Sequence, residues 1–247
     1  MSQRLKFTVA YAGAAFAGWQ SQRHRKTVQD ELERAFHKIN GAQVRVHSAG
    51  RTDAGVHALA QCAHVDLPDR KISSDRWTRA LNAGLPDTIR VSSCRYVSQS
   101  FHARFSAKRK LYRYRIWAAP ILPPLEVGRA WHIPTPLDID LLKCASQEFI
   151  GKHDFAAFAA NRGKKEESTH RTIRSVRVRK SGPCITIEVA GGGFLYKMVR
   201  LMVGAMTRVA LHKWDACEIT ARLKSGRAGG SRFVAPAEGL YLVKIWY

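Results

Sequence analysis

The apolar residues of this 247-residue chain run through one order of strand and helix patterns and then repeat it. Apolar and polar residues alternate from Leu5 to Tyr11, which predicts a strand, and helical apolar spacing follows Thr27 and stops at Gly41. The elements predicted for residues 1–100 are a strand at 5–11, a helix at 27–41, strands at 44–46 and 60–67, a helix that begins at Ser73 or Ser74, and a strand at 89–97. This βαββαβ order is a split βαβ unit.

The second part of the chain repeats that order with one extra helix. The predicted elements are a strand at 104–118, a helix at 138–150 after a proline-rich loop, a hairpin of strands at 172–180 and 184–190, helices at 194–211 and 215–224, and a strand at 239–246. Residues 160–170 are polar, charged and without periodicity, and we expect them to form a mobile loop.

Two units of this kind predict a pseudo-symmetric α+β protein. We expect a mixed, mainly antiparallel sheet around a central basic cleft, with the helices on the outer faces. The boundary is placed near residues 99–103, so that an N-terminal subdomain spans 1–100 and a C-terminal subdomain spans 101–247.

The chain is strongly basic, with 41 Lys and Arg against 19 Asp and Glu and a formal net charge of +22. Such a charge favours an anionic partner, and nucleic acid is the usual one. The cations are interleaved with aromatic and aliphatic residues inside predicted elements, as in Arg113-Tyr114-Arg115-Ile116-Trp117. General solubility is the alternative explanation, but solubility is normally reached with a smaller net charge.

Other classes of protein are disfavoured by pattern. The chain has no run of eighteen apolar residues, so no membrane span is expected, and its first residues enter a strand pattern without a signal-peptide core. Five widely spaced cysteines without a C-x-x-C pair argue against zinc clips and disulfide frameworks, and free thiols suit a cytoplasmic protein. His57, His64 and His102 lack metal-ligand spacing, so we expect no metal.

One carboxylate stands out in this basic chain. Asp53 lies in the segment Gly50-Arg51-Thr52-Asp53-Ala54-Gly55-Val56-His57-Ala58. The flanking glycines permit turn geometries and close approach of a substrate, and an adjacent guanidinium favours the ionised form of a carboxylate. Asp53 is therefore a candidate nucleophile or base. The alternative is an ordinary turn residue, because Asp and Gly are common in turns.

The segment 50–58 resembles the signature of the tRNA pseudouridine synthase A family, and six further blocks of the chain resemble that family in the same order. These are Gly18-Trp19-Gln20, Thr27-Val28-Gln29, Asn82 through Pro86, Phe101 through Ala107, Phe194 through Arg200, and Ala235 through Leu242. The resemblance implies two RRM-like subdomains around a positively charged cleft. It also implies uridine isomerisation at positions 38, 39 and 40 of the anticodon stem-loop of tRNA, and a homodimer.

The resemblance also implies roles for five residues. Asp53 matches the catalytic aspartate, Tyr112 the tyrosine of the active site, Arg200 a partner of Asp53, and Leu240 a wall of the pocket. Arg51 either orients Asp53 or binds the phosphate beside the target nucleotide. Alternation along the strand places Tyr112 and Tyr114 on one face, where a tyrosine of the core is the competing interpretation.

Isomerisation of uridine breaks the N1–C1′ bond and joins C1′ to C5, so it is redox-neutral and needs neither a metal nor another cofactor. It needs a carboxylate, a dry pocket and a way to take the uridine out of its stack. Attack of Asp53 on C6 of the base and attack on C1′ of the sugar both remain open.

Two alternatives remain open. A non-catalytic RNA-binding protein of two RRM-like units has the same charge and fold, but has no need for the arginine-flanked Asp53. The run Gly191-Gly192-Gly193, ahead of a predicted helix, is either a phosphate-binding turn or a structural one, and the structural interpretation is favoured.

Overall fold

The computed structural model describes residues 3–68, 72–160, 168–227 and 233–247. The chain divides into two compact units, one of Met1–Lys108 with Tyr241–Tyr247 and the other of Arg109–Leu240. Most of the predicted loop at 160–170 lies outside the described residues. Within the described ranges, no helix combines the length and apolar composition needed to cross a membrane.

The first unit follows the predicted βαββαβ order. Its elements are β1 (Gln3–Tyr11), α1 (Val28–Asn40), β2 (His47–Ser48), β3 (His57–Leu67), α2 (Ser74–Gly84) and β4 (Ile89–Val97), joined by the C-terminal strand β10 (Leu240–Trp246). β1 lies between β4 and β3 and is antiparallel to both, and β2 is antiparallel to β3. Tyr241 and Leu242 of β10 pair with β3 in parallel, so the sheet is mixed.

The helices of this unit cover an aromatic core on the sheet. The rings of Phe7 and Trp77 each lie 5.5 Å from the ring of Phe36, and all three side chains are buried. Thr27 caps α1 by accepting a hydrogen bond from the N–H of Asp30, and Gly41 ends the helix with a φ of 72°. These are the start and stop signals that the sequence pattern predicts.

The second unit contains more elements than the pattern predicts. They are β5 (Arg109–Ala118), β6 (Trp131–Ile133), α3 (Ile139–Gln147), β7 (Gly151–Asp154), β8 (His170–Ser181), β9 (Cys184–Gly191), α4 (Met198–Ala210) and α5 (Cys217–Ser225). β9 is antiparallel to β5 and β8, β7 is antiparallel to β8, and β6 is parallel to β5. The prediction of an α+β fold with a mixed, mainly antiparallel sheet is confirmed, while the RRM-like character of each unit and the basic cleft stay predictions.

Several predicted boundaries were wrong for local reasons. The strand expected from residue 104 begins at Arg109, because the N–H of Ser106 donates to the carbonyl of His102 and closes a turn there. The helix expected from residue 194 begins at Met198, because Lys197 has a φ of 57° and interrupts helical geometry. β6 and β7 have only three and four residues, too few for a periodic pattern to predict.

The last residues of the chain belong to the first unit, whereas the predicted ranges place them with residues 101–247. Besides the pairing of β10 with β3, the N–H of Lys108 donates to the carbonyl of Trp246. The hydroxyl of Tyr247 donates to the carbonyl of Ala103 over 2.9 Å. These bonds also attach residues 101–108 to the first unit. A periodic pattern indicates that the last residues of the chain form a strand, but it does not indicate which distant segment the strand pairs with.

Candidate active site

Asp53 lies in the loop between β2 and β3, at the start of a turn. The N–H of Val56 donates to the carbonyl of Asp53 over 3.1 Å, and Gly55 has a φ of 79°, which favours glycine. Asp53 is half-buried, Arg51 is exposed, and Thr52 between them is buried. Asp53 thus lies in a turn, and the residue keeps part of its surface accessible.

The end of β1 and the loop after it hold Thr52 from two sides. The hydroxyl of Tyr11 shares a hydrogen bond of 2.8 Å with Oγ1 of Thr52, and the N–H of Trp19 donates to the carbonyl of Thr52 over 3.1 Å. Burial raises the pKa of Tyr11 to about 12, so the phenol stays protonated at neutral pH. The residue next to Asp53 is therefore fixed through both its side chain and its backbone.

Two glycines allow the segment after β1 to lie in close contact with the Asp53 loop. Gly18 has a φ of +99°, and a Cβ added to it would lie 2.7 Å from the carbonyl oxygen of Thr52. A Cβ on Gly13 would lie 2.1 Å from the carbonyl oxygen of Val56. Any side chain at either position would displace the backbone on both sides of Asp53. We refer to Tyr11, Gly13, Gly18 and Trp19 as the clamp.

Both ends of the loop are anchored as well. The Nε2 group of Gln61 donates to the carbonyl of Gly50 over 2.7 Å. Nδ1 of His57 accepts the N–H of Gly13, and the ring of His57 stacks on that of Tyr241 with 4.6 Å between centroids. His57, for which the sequence predicts no metal role, is a structural anchor of the loop.

Tyr112 and Tyr114 both face the buried side of β5, as alternation predicts. Tyr112 is 8% exposed, and its ring meets the edge of Phe194 with 4.9 Å between centroids. Tyr114 is fully buried and donates its hydroxyl to the carbonyl of Pro236 over 2.7 Å. Burial raises the pKa of Tyr114 well above its ordinary range. Tyr114 is therefore a tyrosine of the core.

Arg200 and Leu240 also lie in the second unit. Arg200, on α4, is half-buried, and its Nε donates to the carbonyl of Ala235 over 2.7 Å, while its own carbonyl accepts the N–H of Ala235. Leu240 follows the short 3-10 helix Ala237–Gly239 and is 6% exposed. Arg200 thus holds the segment that leads to Leu240.

The glycine run is structural. Gly191 is the last residue of β9, and a Cβ on it would lie 3.0 Å from the carbonyl oxygen of Thr172. α4 begins at Met198, so the glycines do not form the N-terminal turn of that helix. Residues 191–193 are therefore not at the N-terminus of α4, where a glycine-rich turn would bind phosphate.

The sequence assigns no role to Tyr11 and Gly13. Tyr11 continues the apolar alternation of β1, which is an ordinary strand signal, and Gly13 is a single glycine at the start of a short 3-10 helix. Gly18 and Trp19 lie in a block that the family resemblance includes, but the block alone does not indicate that it contacts the Asp53 loop. The contact forms because β1 and β3 pair side by side, with Tyr11 opposite Ala58.

Comparison with known proteins assigns the chain to a family. A family model described as "tRNA pseudouridine synthase" matches residues 8–106 and 145–247. A protein named tRNA pseudouridine synthase A from Akkermansia muciniphila is 47% identical over 99% of this chain and 95% of its own length. Proteins of the same name from Methylacidiphilum infernorum and Rhodopseudomonas palustris are 41% and 43% identical, over 98% and 99% of this chain and 94% and 99% of their own lengths.

A solved chain described as "Crystal Structure of a Cbf5-Nop10-Gar1 Complex" matches weakly, with a TM-score of 0.41 and 12% identity over 97% of this chain and 49% of that chain. The match to the family model and the near-full-length relatives are much stronger. The chain belongs to the tRNA pseudouridine synthase family, whose members are enzymes that isomerise uridine in RNA.

Proposed function

We propose that this protein converts uridine to pseudouridine at positions 38, 39 and 40 in the anticodon stem-loop of tRNA, with Asp53 as the nucleophile. The observation that carries the proposal is the clamp on the Asp53 loop. Thr52 is held through its side chain and its backbone, while Asp53 beside it keeps accessible surface. A reactive group fixed before the substrate binds avoids the entropic cost of orienting it during the reaction.

Overall, the reaction breaks two bonds and forms two. The N1–C1′ bond breaks, the base is repositioned, C1′ joins C5, and the proton on C5 is lost as N1 gains one. Asp53 forms a transient covalent bond either to C6 of the base or to C1′ of the sugar, and it leaves again when the new bond is complete. Neither route changes the oxidation state, so we propose that no cofactor or metal takes part.

The other predicted residues act on the target nucleotide or on Asp53 in this proposal. Tyr112 stacks on the uracil and its hydroxyl helps to remove the C5 proton, and Leu240 contributes an apolar wall. Arg200 supports the ionised carboxylate, and Arg51 either orients Asp53 or binds the adjacent phosphate. The net charge of +22 supports binding of an RNA backbone.

We further propose that the protein acts as a homodimer in the cytoplasm. A dimer allows the basic surface of one subunit to hold the tRNA elbow while the other subunit takes the anticodon stem. Five free cysteines support a reducing compartment.

The test measures tritium released from C5-labelled uridine in unmodified tRNA, without added cofactor. The wild-type protein should release tritium, and Asp53→Asn and Asp53→Ala should release none while their affinity for tRNA stays close to that of the wild type. Turnover by either variant would remove Asp53 from the role of nucleophile. Binding without tritium release by the wild type would instead favour the non-catalytic RNA-binding protein.

A further inference from the structure

The turn between β4 and β5 exposes an aromatic ring. Phe105 is 76% exposed, although phenylalanine is normally buried. The ring of His102 supports it, with 4.4 Å between centroids and 33° between planes. The guanidinium carbon of Arg104 lies 5.6 Å from the centroid of the same ring. We call His102, Arg104 and Phe105 the aromatic–arginine turn.

Hydrogen bonds hold this turn in one conformation. Nδ1 of His102 accepts the backbone N–H groups of both Arg104 and Phe105, over 3.1 and 3.3 Å. The N–H of His102 in turn donates to Oγ of Ser106 over 3.0 Å. The exposure of Phe105 is therefore built into a fixed turn and does not arise from a loose loop.

The base of the turn is anchored in the core of the first unit. Ala103 is fully buried, its N–H donates to Nδ1 of His64, and its carbonyl accepts the hydroxyl of Tyr247. The rings of His47 and His64 stack behind it with 5.0 Å between centroids. Nδ1 of His64 and Nδ1 of His102 both accept backbone N–H groups, so these two imidazole rings support the turn.

The turn carries exposed positive charge, because Arg104 and Lys108 are both exposed, whereas nearby Arg4 is paired with Asp66 through hydrogen bonds of 2.7 and 2.8 Å. Burial, followed by the charges of His47, Arg4 and Arg104, lowers the pKa of His102, and the acidic Asp66 opposes these charges only as the smallest contribution. RNA brings negative charge to such a surface, on a chain whose net charge is +22. The electrostatics therefore favour a nucleic acid as the occupant of this turn.

We propose that Phe105 and Arg104 form a stacking platform for an unpaired base of the bound tRNA, in addition to the site that receives the target uridine. The proposal rests on the proposed function, because it takes tRNA as the ligand. An exposed ring offers a face to any base, and a guanidinium beside it adds a cation–π contact and a phosphate contact. Unstacked bases occur in single-stranded loops, so the platform recognises the loop rather than the stem.

The test measures the dissociation constant for unmodified tRNA as a function of salt concentration, in four variants. Phe105→Ala should weaken binding about tenfold without changing the slope of log K against log salt, since stacking accounts for about 1–3 kcal/mol per base. Phe105→Trp should bind at least as well as the wild type, and Phe105→Leu should resemble Phe105→Ala. Arg104→Gln should reduce the slope by about one, as expected for the loss of one phosphate contact.

Leu125→Ala provides the matched control, because Leu125 is 80% exposed and lies in the other unit. It removes a similar amount of exposed apolar surface and should leave the affinity unchanged. The platform would be overturned if Phe105→Ala bound tRNA as the wild type does, or if Phe105→Leu restored full affinity. It would also be overturned if Phe105→Ala changed the sedimentation coefficient of the free protein, since the ring would then contact a second copy.

The two proposals fail separately. If wild-type protein binds tRNA but releases no tritium, the catalytic proposal is wrong while the four affinities still decide the platform. If Asp53→Asn is inactive and all Phe105 variants bind equally, the catalytic proposal holds and the platform does not.

Discussion

The hydroxyl of Tyr11 lies 2.8 Å from Oγ1 of Thr52, the residue immediately before Asp53. Both side chains are buried, so neither has water as a ready alternative partner. A hydrogen bond in this position links the end of β1 directly to the loop that carries the proposed nucleophile. It is thus a positioning contact, and it acts on the reaction through Asp53.

Tyr11→Phe should lower kcat more than it lowers the affinity for tRNA. The variant leaves Oγ1 of Thr52 buried without this partner, which costs about 1–3 kcal/mol of folding stability. A displacement of the loop by about 1 Å would reduce kcat by about 10²-fold. Single-turnover tritium release and thermal unfolding measure the two effects.

The double variant Tyr11→Phe/Thr52→Val separates positioning from stability. Removing both groups of the Tyr11–Thr52 hydrogen bond is nearly neutral for that pair, so stability should recover part of its loss, while the contact of the Tyr11 hydroxyl with the Gln61 side chain stays lost. The kcat should stay low, because the loop still lacks its link to β1. Full recovery of kcat along with stability would show that Tyr11 has only a structural role.

Gly18→Ala should be more damaging than Gly41→Ala, although both glycines have positive φ. A Cβ on Gly18 meets the carbonyl oxygen of Thr52 at 2.7 Å, whereas a Cβ on Gly41 meets no atom within 4 Å. Gly41→Ala should therefore cost only the conformational strain, about 1–2 kcal/mol, with kcat unchanged. Gly18→Ala should also reduce kcat by displacing the Asp53 loop. Equal kcat values in the two variants would contradict the clamp.

The sequence predicts the bounds of elements that have local signals better than it predicts the partners of strands, for physical reasons. Thr27 and Gly41 are local signals, so the bounds of α1 follow from residues close to its ends. The position of β10 depends on the pairing of Tyr241 with His57, which are far apart in the chain. The strand pattern identifies β10 as a strand but cannot identify its neighbour, because register and partner are set by long-range packing.

Residues of the candidate site can likewise be predicted only where they leave a local signal in the sequence. The segment around Asp53 identifies the proposed nucleophile, because a carboxylate between glycines and beside an arginine is unusual in a basic chain. Tyr11 and Gly13 leave no such signal, since their contribution depends on which loop packs against them. Phe105 was likewise visible only as part of a family block, and its exposure became apparent from the turn that holds it.

Tyr112→Phe should impair turnover and leave tRNA binding nearly unchanged. The variant keeps the ring that packs against Phe194 and removes only the hydroxyl proposed to take part in proton removal from C5. Loss of a general acid or base typically reduces the rate by about 10²–10⁴-fold.

Tyr114→Phe is the control for this experiment, because Tyr114 lies on the same face of β5. It loses the hydrogen bond to the carbonyl of Pro236 and should destabilise the fold by about 1 kcal/mol, with kcat retained. An unchanged kcat in Tyr112→Phe would exclude a catalytic role for its hydroxyl.

Binding of tRNA should weaken steeply with salt. We assume that the protein neutralises six to ten phosphates and that the RNA duplex has a charge density like that of B-DNA. The logarithm of the binding constant should then fall linearly with the logarithm of salt concentration, with a slope of about −5 to −9. The reason is the release of counterions by a chain of net charge +22. Filter binding between 50 and 200 mM salt, roughly the range over which such slopes are resolved, provides the measurement. A flat dependence would contradict an electrostatic mode of binding.

Stability should decrease as the pH falls from about 6.5 to about 4, in part because of His64. Burial, then the charges of His102, Arg4 and His47, lowers the pKa of His64 to about 4 from its ordinary 6.5, while Asp66 opposes them. Between these two values the unfolded chain binds the proton and the folded chain does not, so the contribution of His64 destabilises the fold progressively as pH falls. Above pH 6.5 His64 is neutral in both states and makes no such contribution.

The measurement is the midpoint of urea unfolding for wild type and His64→Gln at several pH values across that window. Glutamine does not titrate, and its side-chain carbonyl can accept the N–H of Ala103 in place of Nδ1. The difference between the two proteins isolates His64 from the carboxylates that titrate at similar pH. The variant should lose less stability than the wild type between pH 6.5 and 4, and parallel losses would show that His64 is protonated equally in both states.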